Sequence, residues 1–255
     1  MTLFYTDHDI KDTNEGADHI VVWSGGCDST LLLKETAEYY GTKAHPIIAI
    51  SIEHYLLGDR KLGKEREVRE KIKEEFDRRG LHIKYHTLKV EGDMNFISHT
   101  DSPQQTYIWL SMLIPYVRNK ANLYLGIIRS DDTLTHMAKV DELITAGNSF
   151  LNKTIKLYTP YDRFSKSDII KELMDYDLYE YIWYCEIPHE ENGVIKACGS
   201  CAACKTHQMG MVQLAFDCDE RAIPYLPKHL KYIKKYAKKD YRHIRLLDRQ
   251  IKLKK

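Results

Sequence analysis

The sequence predicts an α/β fold: a parallel sheet with helices on both faces, followed by a small C-terminal cysteine-rich helical module. Three observations predict it. Short apolar runs alternate with longer segments of helical spacing from His19 onward, and such alternation builds crossover units. The first apolar run halts at a glycine pair and resumes as a helix-like stretch, VVWSGGCDSTLLL. Four of the six cysteines crowd between residues 185 and 204.

His19–Val22 reads as the first strand because it is short, apolar and stopped by glycine. Ser29–Tyr40 reads as a helix with Leu32, Leu33, Thr36 and Tyr40 on one face. Ala44–Ile52 reads as a buried strand. Lys61–Gly80 is charged but carries Leu62, Val68, Ile72 and Phe76 on one stripe, as a helix does. Leu81–Val90 alternates as a strand, Pro103–Lys120 reads as an apolar helix interrupted at Pro115, and Ala121–Ile128 as a fourth strand. The sheet domain is expected over residues 1–180 and the cysteine module with a basic tail over 181–255.

Composition is that of an ordinary globular chain, with 43% hydrophobic residues and 13 Gly plus 7 Pro. No apolar run reaches the roughly 18 residues of a membrane span, and no basic-then-apolar leader opens the chain. A cytoplasmic protein without a membrane partner is expected. The net charge of +1 conceals a polarity: Lys228–Lys255 holds twelve Lys/Arg against two Asp, a net +10, leaving the preceding residues at −9. Leu230, Ile233, Ala237, Tyr241, Ile244, Leu247 and Ile251 fit a helical stripe there. That helix suits docking on the acidic body, or a patch for nucleic acid or an acidic protein.

A strand that ends in a glycine turn and opens a helix is a phosphate cradle, because backbone N–H groups and the helix N-terminus favour an anion. The segment has neither the lysine of a Walker A loop nor G-x-G-x-x-G spacing. Cys185, Cys198, Cys201 and Cys204 have the spacing C-x12-C-x2-C-x2-C, which suits tetrahedral zinc with no open position. His189 and His207 lie nearby, but four thiolates already fill the shell. Cys27 and Cys218 remain, and Cys27 reads as a small filler in the loop rather than a nucleophile.

Ser24-Gly25-Gly26-Cys27-Asp28-Ser29 resembles the SGGxDS signature of the PP-loop ATP pyrophosphatases, which split ATP between its α and β phosphates and adenylate a substrate. With the four cysteines, the chain resembles the QueC (7-cyano-7-deazaguanine synthase) family. Further matches are Leu157-Tyr158-Thr159-Pro160 with Ser165-Lys166-Ser167-Asp168, Trp183-Tyr184-Cys185, Gly126 with Asp131, and more loosely Ser51-Ile52-Glu53-His54-Tyr55. The resemblance spans about residues 19–215. It implies a Rossmann-like PP-loop sheet and a homodimer. It also implies that ATP is bound by Ser24, Gly25, Gly26, Asp28, Ser29, Ser51 and Asp131, with Asp28 helping to hold Mg²⁺ and Lys166 a cation on the phosphates. Asp28 and Lys166 are then the catalytic candidates, and Cys185, Cys198, Cys201 and Cys204 the Zn²⁺ ligands.

The implied reaction is AMP-forming amination of 7-carboxy-7-deazaguanine by ammonia to the nitrile preQ0, a step of queuosine biosynthesis. The family's Tyr-Pro-Asp-Cys, Pro-x-Arg-Asn and Tyr-Gly-Gln-Arg-His segments are replaced here by DTLTHMAKVDEL, PQQT and HYLLGDRKLGKE. The ATP half of the resemblance is therefore closer than the deazaguanine half. His136 in the first replacement is a substrate-contact candidate, though a lone His in a helix-like segment more often packs. Two alternatives follow: joining a deazapurine to a protein acceptor, as relatives in antiphage operons do, or tRNA modification. Against tRNA thiolation, zinc would occupy the clustered thiols. A fourth reading, a non-enzymatic scaffold, conflicts with the intact loop.

Overall fold

The structure, a computed structural model, describes residues 18–54, 59–90, 105–217, 219 and 221–222. The predicted basic helix from Lys228 and Cys218 lie outside the described residues. Five parallel strands form one sheet: β1 (His19–Val22), β2 (Ile47–His54), β3 (Ile83–Val90), β4 (Asn122–Tyr124) and β5 (Lys156–Tyr158). Their order is β3-β2-β1-β4-β5, with Ile20 facing Ile48 on one side and Leu123 on the other. The order reverses between β1 and β4, which in doubly wound sheets opens a crevice at the carboxyl ends of those two strands.

Alternation along β1 splits the core into two layers. Val21 and Trp23 pack with Leu31, Leu32 and Leu33 of α1 (Cys27–Tyr40), with Val68, Ile72 and Phe76 of α2 (Asp59–Arg78), and with Ile169 and Leu173 of α5 (Lys166–Asp175). Ile20 and Val22 pack on the other face with Leu110 and Leu113 of α3 (Gln105–Leu113) and with Val140 and Ile144 of α4 (Met137–Leu151). The expected helices on both faces are present.

Several boundaries differ from the sequence reading. α1 begins two residues earlier than expected, with Gly26 as its N-cap. It buries three successive leucines rather than one stripe because sheet and helices surround it. The helix before Pro115 ends at Leu113, consistent with the bias of a pre-proline residue against helical angles. β4 is only three residues long: Leu125 still donates to the Tyr158 carbonyl at 3.0 Å, but the Ile127 N–H turns back to Leu125. α4 and β5 follow, and a hairpin of β6 (His189–Glu191) and β7 (Val194–Lys196) bridges Cys185 to Cys198. The last helix, α6 (Ala202–Phe216), packs on α5.

Candidate active site and metal centre

The loop after β1 is tied by its own serines. The Ser29 hydroxyl accepts from the Ser24 N–H at 3.2 Å and lies 3.1 Å from the Ser24 hydroxyl, which accepts from the Gly26 N–H at 3.2 Å. Gly25 adopts φ +86°, a left-handed conformation that disfavours other residues. A Cβ there would also lie 3.0 Å from Arg69 Cγ. Arg69 is buried beneath the turn, donating to the Ser24 carbonyl at 3.4 Å and pairing with buried Glu53 at 2.5 Å. The first turn of α1 then presents N–H groups that have no intrahelical acceptor.

Across the switch point, the segment after β4 presses on that turn. A Cβ on Gly126 would lie 2.9 Å from both the Asp28 carbonyl carbon and the Ser29 nitrogen. Only glycine fits, which supplies the physical reason for a glycine at this place. Asp131 follows, its carboxylate accepting from the Thr133 N–H at 2.8 Å at the start of a 3-10 turn over Asp132–His136. Burial pushes the Asp131 carboxyl above its usual range, against the Thr133 hydrogen bond.

From the opposite side Lys166, the first residue of α5, extends its ammonium to both Asp28 carboxylate oxygens at 2.7 and 2.6 Å. Burial opposes the charge on Lys166, but Asp28 outweighs it and the pKa stands above the ordinary lysine value. α5 starts with a capping box in which Ser165 accepts from the Asp168 N–H and Asp168 accepts from the Ser165 N–H. That fixes the angle at which Lys166 leaves the helix.

These groups line one cavity of about 540 Å³. Ser24, Gly26, Asp28, Ser29, Asp131, Lys166 and Cys185 all contribute to its wall. Two of the expected nucleotide contacts stand elsewhere. Ser51 is buried and donates its hydroxyl to the Trp23 carbonyl at 2.7 Å, so it ties β2 to the end of β1. Gly25 supports the turn from below. His136 is not among the lining residues, and its carbonyl accepts from the Tyr107 hydroxyl at 3.1 Å. Cys27 is buried, and burial pushes its thiol up to about 12, so it keeps its proton at neutral pH.

Sequence reasoning missed part of the wall: Glu65, Trp109, Trp183 and Glu186. Lys61 is buried and pairs with Glu186 and, at 3.6 Å, with Glu65, whose carboxyl burial pushes up. Lys61 and Glu65 were hidden in a helix that reads as a solvated charge run. Trp183 was visible only as the neighbour of a cysteine. A second cavity of about 600 Å³ lies over Ile48, Ile50, His86 and Val117. None of the residues from Ser24 to Ser29 lines it.

The four cysteine sulfurs lie within 4.8 Å of one another, Cys198 and Cys204 at 3.9 Å. A single tetrahedral ion with bonds of about 2.3 Å sets sulfurs about 3.8 Å apart, so the cluster could hold one metal ion. Backbone N–H groups already point at the sulfurs: Cys198 to Cys185 at 3.2 Å, Cys201 to Cys198 at 3.3 Å and Cys204 to Cys201 at 3.4 Å. Burial acts against a thiolate at Cys198, yet donors from Ser200 and Cys201 outweigh it and bring the pKa down to about 6. Burial pushes the Cys185 and Cys204 thiols up, and a bound cation would reverse that.

The family model for the queuosine biosynthesis protein QueC matches residues 18–215. The chain belongs to the QueC family. As a QueC-like protein it is an ATP-using enzyme. Among solved structures, the U34-tRNA thiolase NcsA from Methanococcus maripaludis with its [4Fe-4S] cluster is similar at 14% identity and a TM-score of 0.47. The match covers 88% of this chain and 75% of the thiolase chain. None of the curated proteins compared with the chain matches it. Among the described residues, no helix is long and apolar enough to cross a membrane.

Proposed function

We propose that this QueC-like enzyme adenylates the carboxylate of 7-carboxy-7-deazaguanine, aminates it with ammonia to the amide, and activates the amide oxygen with a second ATP so that elimination gives 7-cyano-7-deazaguanine, each ATP leaving as AMP and pyrophosphate. The observation that carries the reading is the convergence of the Ser24–Ser29 loop, Asp28 and Lys166 on one wall of the 540 Å³ cavity in a chain of this family. A carboxylate is a poor electrophile, and bonding it to AMP gives it a good leaving group. Charge then develops on the departing pyrophosphate. The first-turn N–H groups of α1 and the Ser24, Ser29 and Lys166 side chains on the cavity wall would stabilise that charge. Asp28 offers oxygens for Mg²⁺, which when bound would neutralise phosphate charge. The two indoles on the cavity wall, Trp109 and Trp183, suit a planar purine-like ring.

Zn²⁺ is the ion proposed for Cys185, Cys198, Cys201 and Cys204. Four thiolates leave it no open position, so its role is to tie the chain and not to act on substrate. Sulfurs within 4.8 Å suit a single ion, whereas a four-iron cluster attaches each thiolate to a different iron and spreads them wider.

The test is a product assay with purified protein, ATP, Mg²⁺, ammonium and 7-carboxy-7-deazaguanine, read by mass spectrometry with AMP quantified. Nitrile with AMP is the expected result. AMP without free nitrile redirects the reading to another acceptor for the activated base, such as a protein. No AMP above background overturns the proposed substrate.

A further inference from the structure

Two contacts join the cysteine cluster to opposite sides of the nucleotide loop. The first is backbone pairing. The Trp183 N–H donates to the Gly25 carbonyl at 3.3 Å, and the Trp183 indole N–H donates to the Cys185 carbonyl at 3.0 Å. The residue that props the loop is thus fixed to the first cysteine. The second contact is a helix crossing. α6 is capped by Cys201, whose sulfur accepts from the Cys204 N–H, and it carries buried Gly210 further along. A Cβ at Gly210 would lie 3.0 Å from Lys166 Cγ and Ile170 Cδ1, and 3.1 Å from the Lys166 carbonyl carbon. α6 therefore sits directly against the turn that sends Lys166 to Asp28.

We propose that the four-cysteine metal site and the nucleotide site form one thermodynamic unit, coupled through Trp183 on the loop and through Gly210, a positioning residue for Lys166. This rests on the reading that the Ser24–Ser29 loop and Lys166 hold ATP. A bound ion fixes Cys185 relative to Cys201 and Cys204. That sets the loop, through Trp183, against the lysine, through α6. The loop and Lys166 come from distant parts of the chain, and without the ion their separation depends on packing and on the Lys166–Asp28 ion pair. Filling the metal site then raises affinity for ATP. By linkage, ATP raises affinity for the metal by the same factor, expected in the range of about 5- to 100-fold.

The experiment uses full-length protein, Co²⁺ as the metal and a non-hydrolysable ATP analogue with excess Mg²⁺. Analogue affinity is measured by calorimetry with and without Co²⁺. Co²⁺ affinity is measured from its thiolate charge-transfer absorption with and without analogue. Equal factors of five or more in both directions are expected. If the metal-loaded protein does not bind the analogue at all, the ATP reading itself falls and the coupling with it. If it binds equally well with and without Co²⁺ while circular dichroism shows the same fold, the coupling alone is overturned. Where the metal-free chain loses its helical signal, Gly210→Ala in the metal-loaded protein decides. Weaker analogue binding at unchanged Co²⁺ affinity and absorption supports the proposal, and unchanged analogue binding overturns it.

Discussion

Gly126→Ala tests whether the close approach of the β4 loop to α1 builds the proposed phosphate cradle. The added methyl would meet the Asp28 carbonyl carbon and the Ser29 nitrogen at 2.9 Å, and Asp28 Cβ at 3.2 Å. Ordinary contact begins near 3.4 Å, so the two segments must part by about half an ångström. Two of the three neighbours are backbone and cannot rotate away. Overpacking of this kind costs about 1–3 kcal/mol, which lowers the melting temperature of a chain this size by roughly 2–12 °C. The larger effect is on the site, because one of the displaced atoms, the Ser29 nitrogen, is itself a first-turn N–H donor and the other two belong to Asp28. Misplacement on this scale is expected to reduce AMP formation by about 10- to 100-fold, with weaker binding of an ATP analogue. The control is Gly63→Ala on α2, where nothing lies within 4 Å of the new methyl. It is expected to leave turnover unchanged and to stabilise the helix by up to about 1 kcal/mol. If Gly126→Ala melts with the wild type and turns over within twofold of it, the cradle does not depend on this approach.

Lys166→Met is expected to lower AMP formation by about 10²- to 10³-fold, the scale for losing one charge-stabilising donor, while circular dichroism stays that of the wild type; turnover near wild type would remove Lys166 from the phosphate site. Arg69→Met leaves buried Glu53 with Arg66, at 2.6 Å, as its one ion-pair partner among the described residues. It should destabilise by about 3 kcal/mol, and a urea midpoint equal to the wild type's would show the pair to be dispensable. Cys198→Ser should abolish stoichiometric metal binding, read by elemental analysis of the purified protein, and a full equivalent of metal would contradict the four-cysteine assignment. Burial holds His19 neutral with its pKa lowered from 6.5 to about 4, against the opposing pull of Asp18. The folded state therefore binds a proton less readily than the unfolded chain. The stability this contributes is present above pH 6.5, is lost progressively as pH falls toward about 4, and levels off below. Urea midpoints across that window should slope for the wild type and flatten in His19→Gln, and equal slopes would refute the assignment.

The parallel sheet was readable because its strands announce themselves as short apolar runs stopped by glycine or charge. β5 was not, since Lys156–Tyr158 is three residues long and half-buried, too short for any alternation to register. The β6–β7 hairpin is exposed and polar, so its strands carry no hydrophobic pattern. Within the site, the loop was legible because glycine and serine at a strand-to-helix turn have few other uses. Ser51 resembled a ligand contact by position, yet a buried hydroxyl beside an open carbonyl pairs with that carbonyl first. Glu65 and Lys61 could not be singled out, because a charged residue in a charged helix looks solvated until the tertiary fold covers it.

Asp28 and Lys166 illustrate what only topology supplies. They stand 138 residues apart in sequence and 2.6 Å apart in space. Each was a reasonable candidate alone, one from a loop motif and one from a helix start. Their meeting depends on the reversal of strand order between β1 and β4. The reversal leaves the carboxyl end of β1 open, so the loop after β4 can close over α1 while α5 approaches from beyond β5. The same reversal explains why α6 matters to the site. The crevice opened by the sheet is walled by α1, the β4 loop, Glu65, Trp109 and Lys166, which leave a further wall to be filled. Trp183, Cys185, Ala202 and Thr206 supply one. A four-cysteine appendage placed elsewhere on this sheet would stabilise the chain, whereas placed here it also forms part of the wall of the cavity proposed to hold the nucleotide.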